Sequence, residues 1–433
     1  MFKKFAFTIC CATKLVALTC SNPVTLSAPG QDCDRSKVAI NENGDIGAIW
    51  NVEDDVSDDE YVYTAVKKKN GEWGPSSLFA KNNDWIRVKK FQIDSSSNLQ
   101  AVLQLDRDAL DDLYLWSEKK WGDSLPTAIA YPQPFPVRWW EKSLIEDGKW
   151  IFLEEVPGVS SNSKKLVVAS VIPGQTEITR AVIAQFEGGV YGKKIIFDSH
   201  KRAIAVWQES TYDVKSYKTI YTLKIAREKE DGTWTPPETV STEFNDTDLE
   251  KIGVDLQGNV VLALEKNEEL YAMIQENGKW STPIMIAPSE QEPENPRLTF
   301  DKEGNLLATW KGEIAKKRVI YAAYKPVGKS WQPSVLISPD NANSFFYKIK
   351  ADNRGSFTLV WEQRITKKSS AIYGTTFSTQ SEKWSKPVQL SPAGQNCLIR
   401  DFALSGNGKG ALAWLLIDKC CNNFVQVADL LVD

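Results

Sequence analysis

Six cationic side chains, Lys37, Lys90, Lys194, Lys251, Arg297 and Lys348, fall at one equivalent position of a pattern that repeats along the chain. Asp401 takes that position in the last unit, and Glu141 or Lys142 in the third. Cations held at one level around a common axis concentrate positive potential, and the chemistry they offer is capture of an anion or an acidic loop. The plainer use is that long side chains run out to water and pair with nearby loop acids. Catalytic chemistry is harder to assemble. The sequence holds one histidine, His200, in the turn D-S-H-K-R. That count excludes an H-E-x-x-H zinc site and speaks against a Ser-His-Asp triad. Walker and dinucleotide glycine motifs are absent. Paired carboxylates can hydrolyse a glycosidic bond without histidine, and Glu154 and Glu155 are adjacent acids. Neighbours on a strand face opposite ways, so these two line one site only if the strand is bulged.

The elements that must position these side chains follow from the repeat. Its period is about fifty residues, and each unit reads as four short strands. An apolar run leads into a turn such as NENGD (41–45), DLQGN (255–259), DKEGN (301–305), DNRGS (352–356) or SGNGK (405–409). A second run follows, ending in Ala-x-Trp or a close variant at Trp50, Trp207, Trp310, Trp361 and Trp414. A further Trp, often in Trp-x-x-Pro, opens the outer strand at Trp73, Trp121, Trp234, Trp280, Trp331 and Trp384. This is the pattern of an all-β protein, a closed β-propeller of four-stranded blades, with eight blades expected and seven the alternative. The Ala-x-Trp residues are expected in the core between blades, and the outer tryptophans as structural caps rather than a sugar-stacking ring.

The chain ends fit the same plan. N-P-V-T-L-S-A-P-G-Q-D-C (22–33) matches K-P-V-Q-L-S-P-A-G-Q-N-C (386–397), whereas the last unit stops after three strand-like runs. Residues 22–28 are therefore expected to supply the missing outer strand of the last blade, which removes an exposed edge. Residues 1–20 read as a signal peptide, with Lys3 and Lys4 before an apolar run too short to span a membrane. A lipid anchor at Cys20 is the minority alternative. Residues 21–433 then form a single domain. Export makes one or two disulfides among Cys33, Cys397, Cys420 and Cys421 the expectation, because blade geometry gathers all four where the last blade meets the first. A four-cysteine zinc site is disfavoured by the adjacent pair Cys420–Cys421, so no metal and no cofactor are assigned.

Composition is that of an ordinary soluble domain. The chain has 433 residues, 42% hydrophobic and 25% charged, with a net charge of −4, which speaks against a nucleic-acid partner. Charge is segregated among the second-to-third-strand loops. Those of the first two units are acidic, 53–60 and 106–112, and are candidate Ca²⁺ ligands although they do not follow the EF-hand spacing. Those of the sixth and seventh are basic, through Lys316, Lys317, Arg318, Arg364, Lys367 and Lys368.

With its D-x-x-G-N, Ala-x-Trp and Trp-x-x-Pro signature, the chain resembles secreted bacterial β-propeller repeat proteins across 22–433 and, more distantly, sialidase-like propellers. The sialidase Asp box, S-x-D-x-G-x-x-W, lies between third and fourth strands, whereas the turn here joins first and second. The arginine triad and Tyr/Glu pair of sialidases are not assembled, and kelch and WD40 signatures are missing. The resemblance implies fold and export, and no activity. The expected function is that of a monomeric, non-catalytic scaffold, secreted, periplasmic or at the cell surface. Its expected partner is a protein or glycan, an anionic one for the basic ring. The alternative is a glycoside hydrolase with its site at the channel mouth.

Overall fold

A computed structural model of the chain describes residues 17–53, 59–83, 85–105, 113–120, 123, 125–130, 142–144, 148–159, 163–215, 217–241, 248–276, 278–418 and 422–432. These residues form eight antiparallel sheets, each made of strands consecutive in sequence except where the N-terminus joins the last. The first strands of the sheets are Asp32–Ile40, Ile86–Ile93, Lys142–Leu144, Gly189–Phe197, Asp248–Val254, Glu294–Phe300, Ser344–Ala351 and Asn396–Leu404. The one helical element among the described residues is the short 3-10 turn Ser289–Gln291, and no helix there is long and apolar enough to cross a membrane.

Apolar cores fill every junction between consecutive sheets. Trp207 packs between the third and fourth sheets, Trp310 between the fifth and sixth, Trp361 between the sixth and seventh, and Trp414 between the seventh and eighth. Trp50 lies in a core shared by the first sheet and Ala413, Leu415 and Val427 of the eighth. All five indoles are at most 1% exposed, and truncating one to Ala is expected to cost about 3–5 kcal/mol through lost burial and the cavity left behind. Trp73, Trp234, Trp280, Trp331 and Trp384 are half-buried against the edges of these cores, which is the structural use expected of them. Trp121 lies outside the described residues.

The turn after each first strand explains how the repeat persists where its letters change. In Asp255 and Asp301 the carboxylate Oδ1 accepts the backbone N–H groups of the second and fourth residues on, and Oδ2 accepts the side-chain amide of Asn259 or Asn305. The glycine before each Asn has a left-handed φ, +83° at Gly258 and +85° at Gly304, which costs a residue without Cβ nothing. Asp94 and Asp198 build the same turn with Ser97 and Lys201 in the glycine's place, at φ 66° and 62°. These turns hold without the glycine because the carboxylate already fixes the backbone.

The N-terminus completes the eighth sheet. Val24–Thr25 pairs with Asn423–Val432, setting Val24 opposite Val427. The Leu26 N–H donates to the Val425 carbonyl at 2.9 Å, and Ser27 Oγ accepts the Val425 N–H at 3.1 Å. Leu390 and Ser391 do the same to Ile372 in the seventh sheet, and Ile337 and Ser338 to Ile320 in the sixth. The sequence match of the two ends is thus a match of hydrogen bonds. The pairing also begins earlier than residue 22. Leu18–Cys20 lies along Leu430–Val432, and Leu18 is buried in the core between the seventh and eighth sheets.

Ser27→Ala should leave the Val425 N–H buried without its acceptor and lower the unfolding free energy by about 1–3 kcal/mol. Deleting residues 18–27 should remove the cooperative thermal transition or produce aggregates, as judged by calorimetry and light scattering; a monomer with unchanged melting would contradict the structural role given to this segment.

Candidate functional site

Strand register places the six cations at one level. Lys37 pairs with Ile49, Lys194 with Val206, Arg297 with Thr309, Lys348 with Val360 and Asp401 with Ala413. Each partner is the residue before a buried tryptophan. Lys90 pairs with Val102 and Lys251 with Ala263, where Leu103 and Leu264 stand in the tryptophan's place. In the third sheet the register gives the position to Lys142, opposite Phe152; Glu141 lies outside the described residues. In the seven sheets whose first strand is described ahead of this level, the ladder shifts register at or just before it. A bulge bends and twists its strand and re-aims the side chains beside it, so the cations follow an irregularity that the repeat conserves.

Asp401, the acid at this level, ties three neighbouring first strands together. Its Oδ1 accepts from Lys348 Nζ at 2.7 Å, and its Oδ2 accepts the Val38 N–H at 3.2 Å. Burial pushes the Lys37 ammonium below the usual lysine range; Asp401 opposes that shift, while Lys348 and Arg87 add to it. Arg297 lies 5.0 Å from the centre of the Tyr347 ring, whose hydroxyl is directed at the carbonyls of Asn295 and Thr309. A cavity of about 540 Å³ runs along the first strands of the fifth to seventh sheets. Lys251 and Arg297 stand toward one end of it, and the turn aspartates Asp255, Asp301 and Asp352 at the other. Lys350 lines it between them.

The other candidate residues separate. Glu154 is buried, faces Arg180 at 3.5 Å, and is raised above the usual carboxylate range chiefly by desolvation. Glu155 instead pairs with Lys164 at 2.5 Å and approaches Lys193 at 4.0 Å. The bulge of that sheet lies at Leu166/Val167 on the next strand, so nothing turns the two acids toward one site. His200 is an exposed turn residue near Ser199 and Arg202. The basic loop residues Lys316, Lys317, Arg318, Arg364, Lys367 and Lys368 are all exposed. Of the acidic loops, 54–58 and 106–112 lie outside the described residues, and the Ca²⁺ reading with them. Asp59 pairs with Lys81 at 2.7 Å, and Glu60 is buried against Asn51 and the Ile86 N–H.

The cysteines correct an expectation. Cys33 and Cys397 are buried free thiols, and no bridge joins them. Cys33 packs in the core between the first and eighth sheets, and Cys397 in the core between the seventh and eighth. The eighth sheet stands between the two sulfurs. Cys420 and Cys421 lie outside the described residues, and Cys20 is a free, half-buried thiol. Burial pushes the thiols of Cys33 and Cys397 up to about 11.

Sequence reasoning missed Arg35, Arg87 and Arg400, on the first strands of the first, second and eighth sheets, which line one cavity with Lys37. Arg35 and Arg400 sit within the register shifts themselves. The available signal was a basic residue shortly ahead of the aligned position in those units.

Two measurements probe this electrostatic picture. Lys37→Met should melt at a higher temperature than wild type at neutral pH, because the folded state penalises the charged ammonium. A lowered folded value means stability rises with pH, so the gap should narrow as pH approaches the ordinary lysine value of 10.5. Peptide mapping after maleimide treatment at neutral pH should find Cys33 and Cys397 unlabelled in the native protein and labelled once it is unfolded; rapid native labelling would contradict their burial.

No family model matches the chain, and no curated protein matches its sequence. Solved structures do. A protein of unknown function from Dyadobacter fermentans DSM 18053 is 11% identical, with 96% of this chain and 99% of that chain covered and a TM-score of 0.44. The polysaccharide lyase Uly1 is 9% identical, covering 94% of this chain and 90% of its own at a TM-score of 0.44. The NanB sialidase of Streptococcus pneumoniae is 11% identical, covering 96% and 70% at a TM-score of 0.33. No activity is carried over from any of the three.

Proposed function

We propose that this chain is a non-catalytic binding scaffold: a closed, eight-bladed propeller whose cationic channel mouth receives an anionic segment of a glycan or protein. The observation that carries the reading is the common register of Lys37, Lys90, Lys194, Lys251, Arg297 and Lys348. Like charges at one level raise each other's energy, and the lowered Lys37 reflects part of that cost. A bound anion would relieve it. Closure is supported by the core shared between the first and eighth sheets and by Asp401, which reaches from Lys348 to Val38.

The same face offers a surface for a larger partner. Phe346 is 67% exposed and has Lys311 Nζ 5.8 Å from its ring centre, while Arg364 stacks 5.1 Å from Phe345. Exposed aromatic and cationic groups side by side suit a polar, negatively charged partner. Hydrolysis by a carboxylate pair is less well supported. Asp401 is the one acid at the ring level among the described residues, and it is engaged by Lys348; a glycosidase needs two carboxyl groups with separate roles. We place the chain with secreted bacterial propeller repeat proteins and assign it to the cell exterior, on the strength of the repeat signature and the apolar leader.

The test is binding of the purified protein to a panel of acidic and neutral oligosaccharides and an acidic peptide, at low and high ionic strength. Wild type should retain acidic probes alone, and salt should weaken them. Replacing Lys194, Lys251 and Lys348 together with Met should reduce affinity about tenfold or more, since each charge-assisted contact is worth on the order of 1.5–3 kcal/mol. A triple variant that binds as tightly as wild type at low ionic strength would make the ring structural.

A further inference from the structure

A second cationic cavity, of about 180 Å³, opens beside the channel mouth between the first and second sheets. Arg35, Ser36, Lys37, Asn51, Arg87 and Arg400 line it. Two of its buried oxygens have no partner, Ser36 Oγ and Asn51 Oδ1, on residues only 6% and 1% exposed. The Asn51 amide cannot be turned to relieve this. Its Nδ2 donates to Glu60 Oε1 at 2.9 Å and to the Ile86 carbonyl at 2.8 Å, so a flip would set an oxygen against two acceptors. Oδ1 is therefore a fixed acceptor in want of a donor, and buried polar atoms are ordinarily satisfied.

The cations divide into two kinds. Arg35 and Arg400 are tethered: Arg35 Nε meets Asp34 Oδ2 at 2.9 Å, and Arg400 Nε donates to the Asp34 carbonyl at 2.9 Å. Arg35 also lies 5.2 Å from the centre of the Trp85 ring. Lys37 and Arg87 make no hydrogen bond or salt bridge among the described residues, yet are close enough for Arg87 to help depress the lysine. Two fixed cations, and two that make no hydrogen bond or salt bridge among the described residues, around a pair of unmet oxygens form a prepared anion site rather than a solvated charged surface.

We propose that this cavity binds a small hydroxylated anion, with a carboxylate, sulfate or phosphate group against Lys37, Arg87, Arg35 and Arg400 and a neighbouring hydroxyl donating to Asn51 Oδ1. Ser36 Oγ donates to the anion from the cavity wall. The site shares Lys37 with the channel mouth and otherwise stands on its own residues, so it survives if the mouth binds nothing.

Calorimetric titration at low ionic strength with D-glycerate, propionate and inorganic sulfate tests it. Glycerate should bind, and should bind more tightly than propionate, which has the carboxylate without the hydroxyls. Arg87→Met, a change at an exposed side chain, should weaken glycerate about tenfold or more, whereas Lys251→Met, which touches the channel alone, should leave it unchanged. Glycerate that displaces an acidic oligosaccharide would make the natural ligand the acidic end of a longer chain; glycerate binding without displacement would make it a free small anion. No heat with any of the three anions, equal affinity for glycerate and propionate, or an Arg87→Met variant that binds like wild type would each overturn the proposal.

Discussion

Every sheet in this protein has two apolar faces and cannot bury both by itself. That constraint governs the rest. A four-stranded sheet flanked on each side by another hides both faces, and the eight cores show this solution applied at every junction, the first against the eighth included. It also explains the composition of the second strands, which are continuous apolar runs such as Leu306, Leu307 and Ala308 rather than alternating ones. The flat indoles of Trp207, Trp310, Trp361 and Trp414 supply much of the buried area at a single position per junction. A sheet left with one bare face would expose both that surface and its hydrogen-bonding edge. The N-terminal strands therefore matter out of proportion to their few residues.

With the second strands fixed between neighbours, the first strands of the fifth to seventh sheets lie side by side and line one cavity. The side-chain period of two then stacks the lining in layers. Lys251 and Gly253 on one strand lead to Asp255 in the turn after it, Arg297 and Thr299 on the next to Asp301, and Lys348 and Lys350 on the third to Asp352. The cationic layer is a consequence of the packing that fills the junctions, since the same register step that buries each tryptophan sets the preceding residue opposite a lysine or arginine.

Much of this was legible in the sequence, and the exceptions have physical reasons. The turn and tryptophan signatures identified the strands, and the matched ends identified the completing strand, because both encode hydrogen bonds that recur from sheet to sheet. The second turn was hidden because Asp94 holds its backbone without the expected glycine, as Asp198 does in the fourth. Leu18–Cys20 was assigned to a leader because its apolar letters serve a leader and a buried strand equally. The cysteine reading failed at Cys33 and Cys397 for a different reason: loops that lie together on a face can still send their side chains into cores on opposite sides of one sheet. The arginines of the second cavity escaped notice because they occupy bulges or precede them, and a bulge leaves no mark in a single unit's pattern.

The two ends of the first strands differ in how far their polar groups are already satisfied. At the turn end, the carboxylates of Asp94, Asp198, Asp255, Asp301 and Asp352 each accept bonds from their own turn, which leaves little to offer a partner. At the bulged end, Ser36 Oγ, Asn51 Oδ1 and Ser344 Oγ are buried without partners, and among the described residues cations outnumber the one acid at their level. Binding draws its free energy from groups whose needs the fold has not met. The bulged end is therefore where a ligand has something to gain, and the turn end is where the fold has spent its hydrogen bonds on itself.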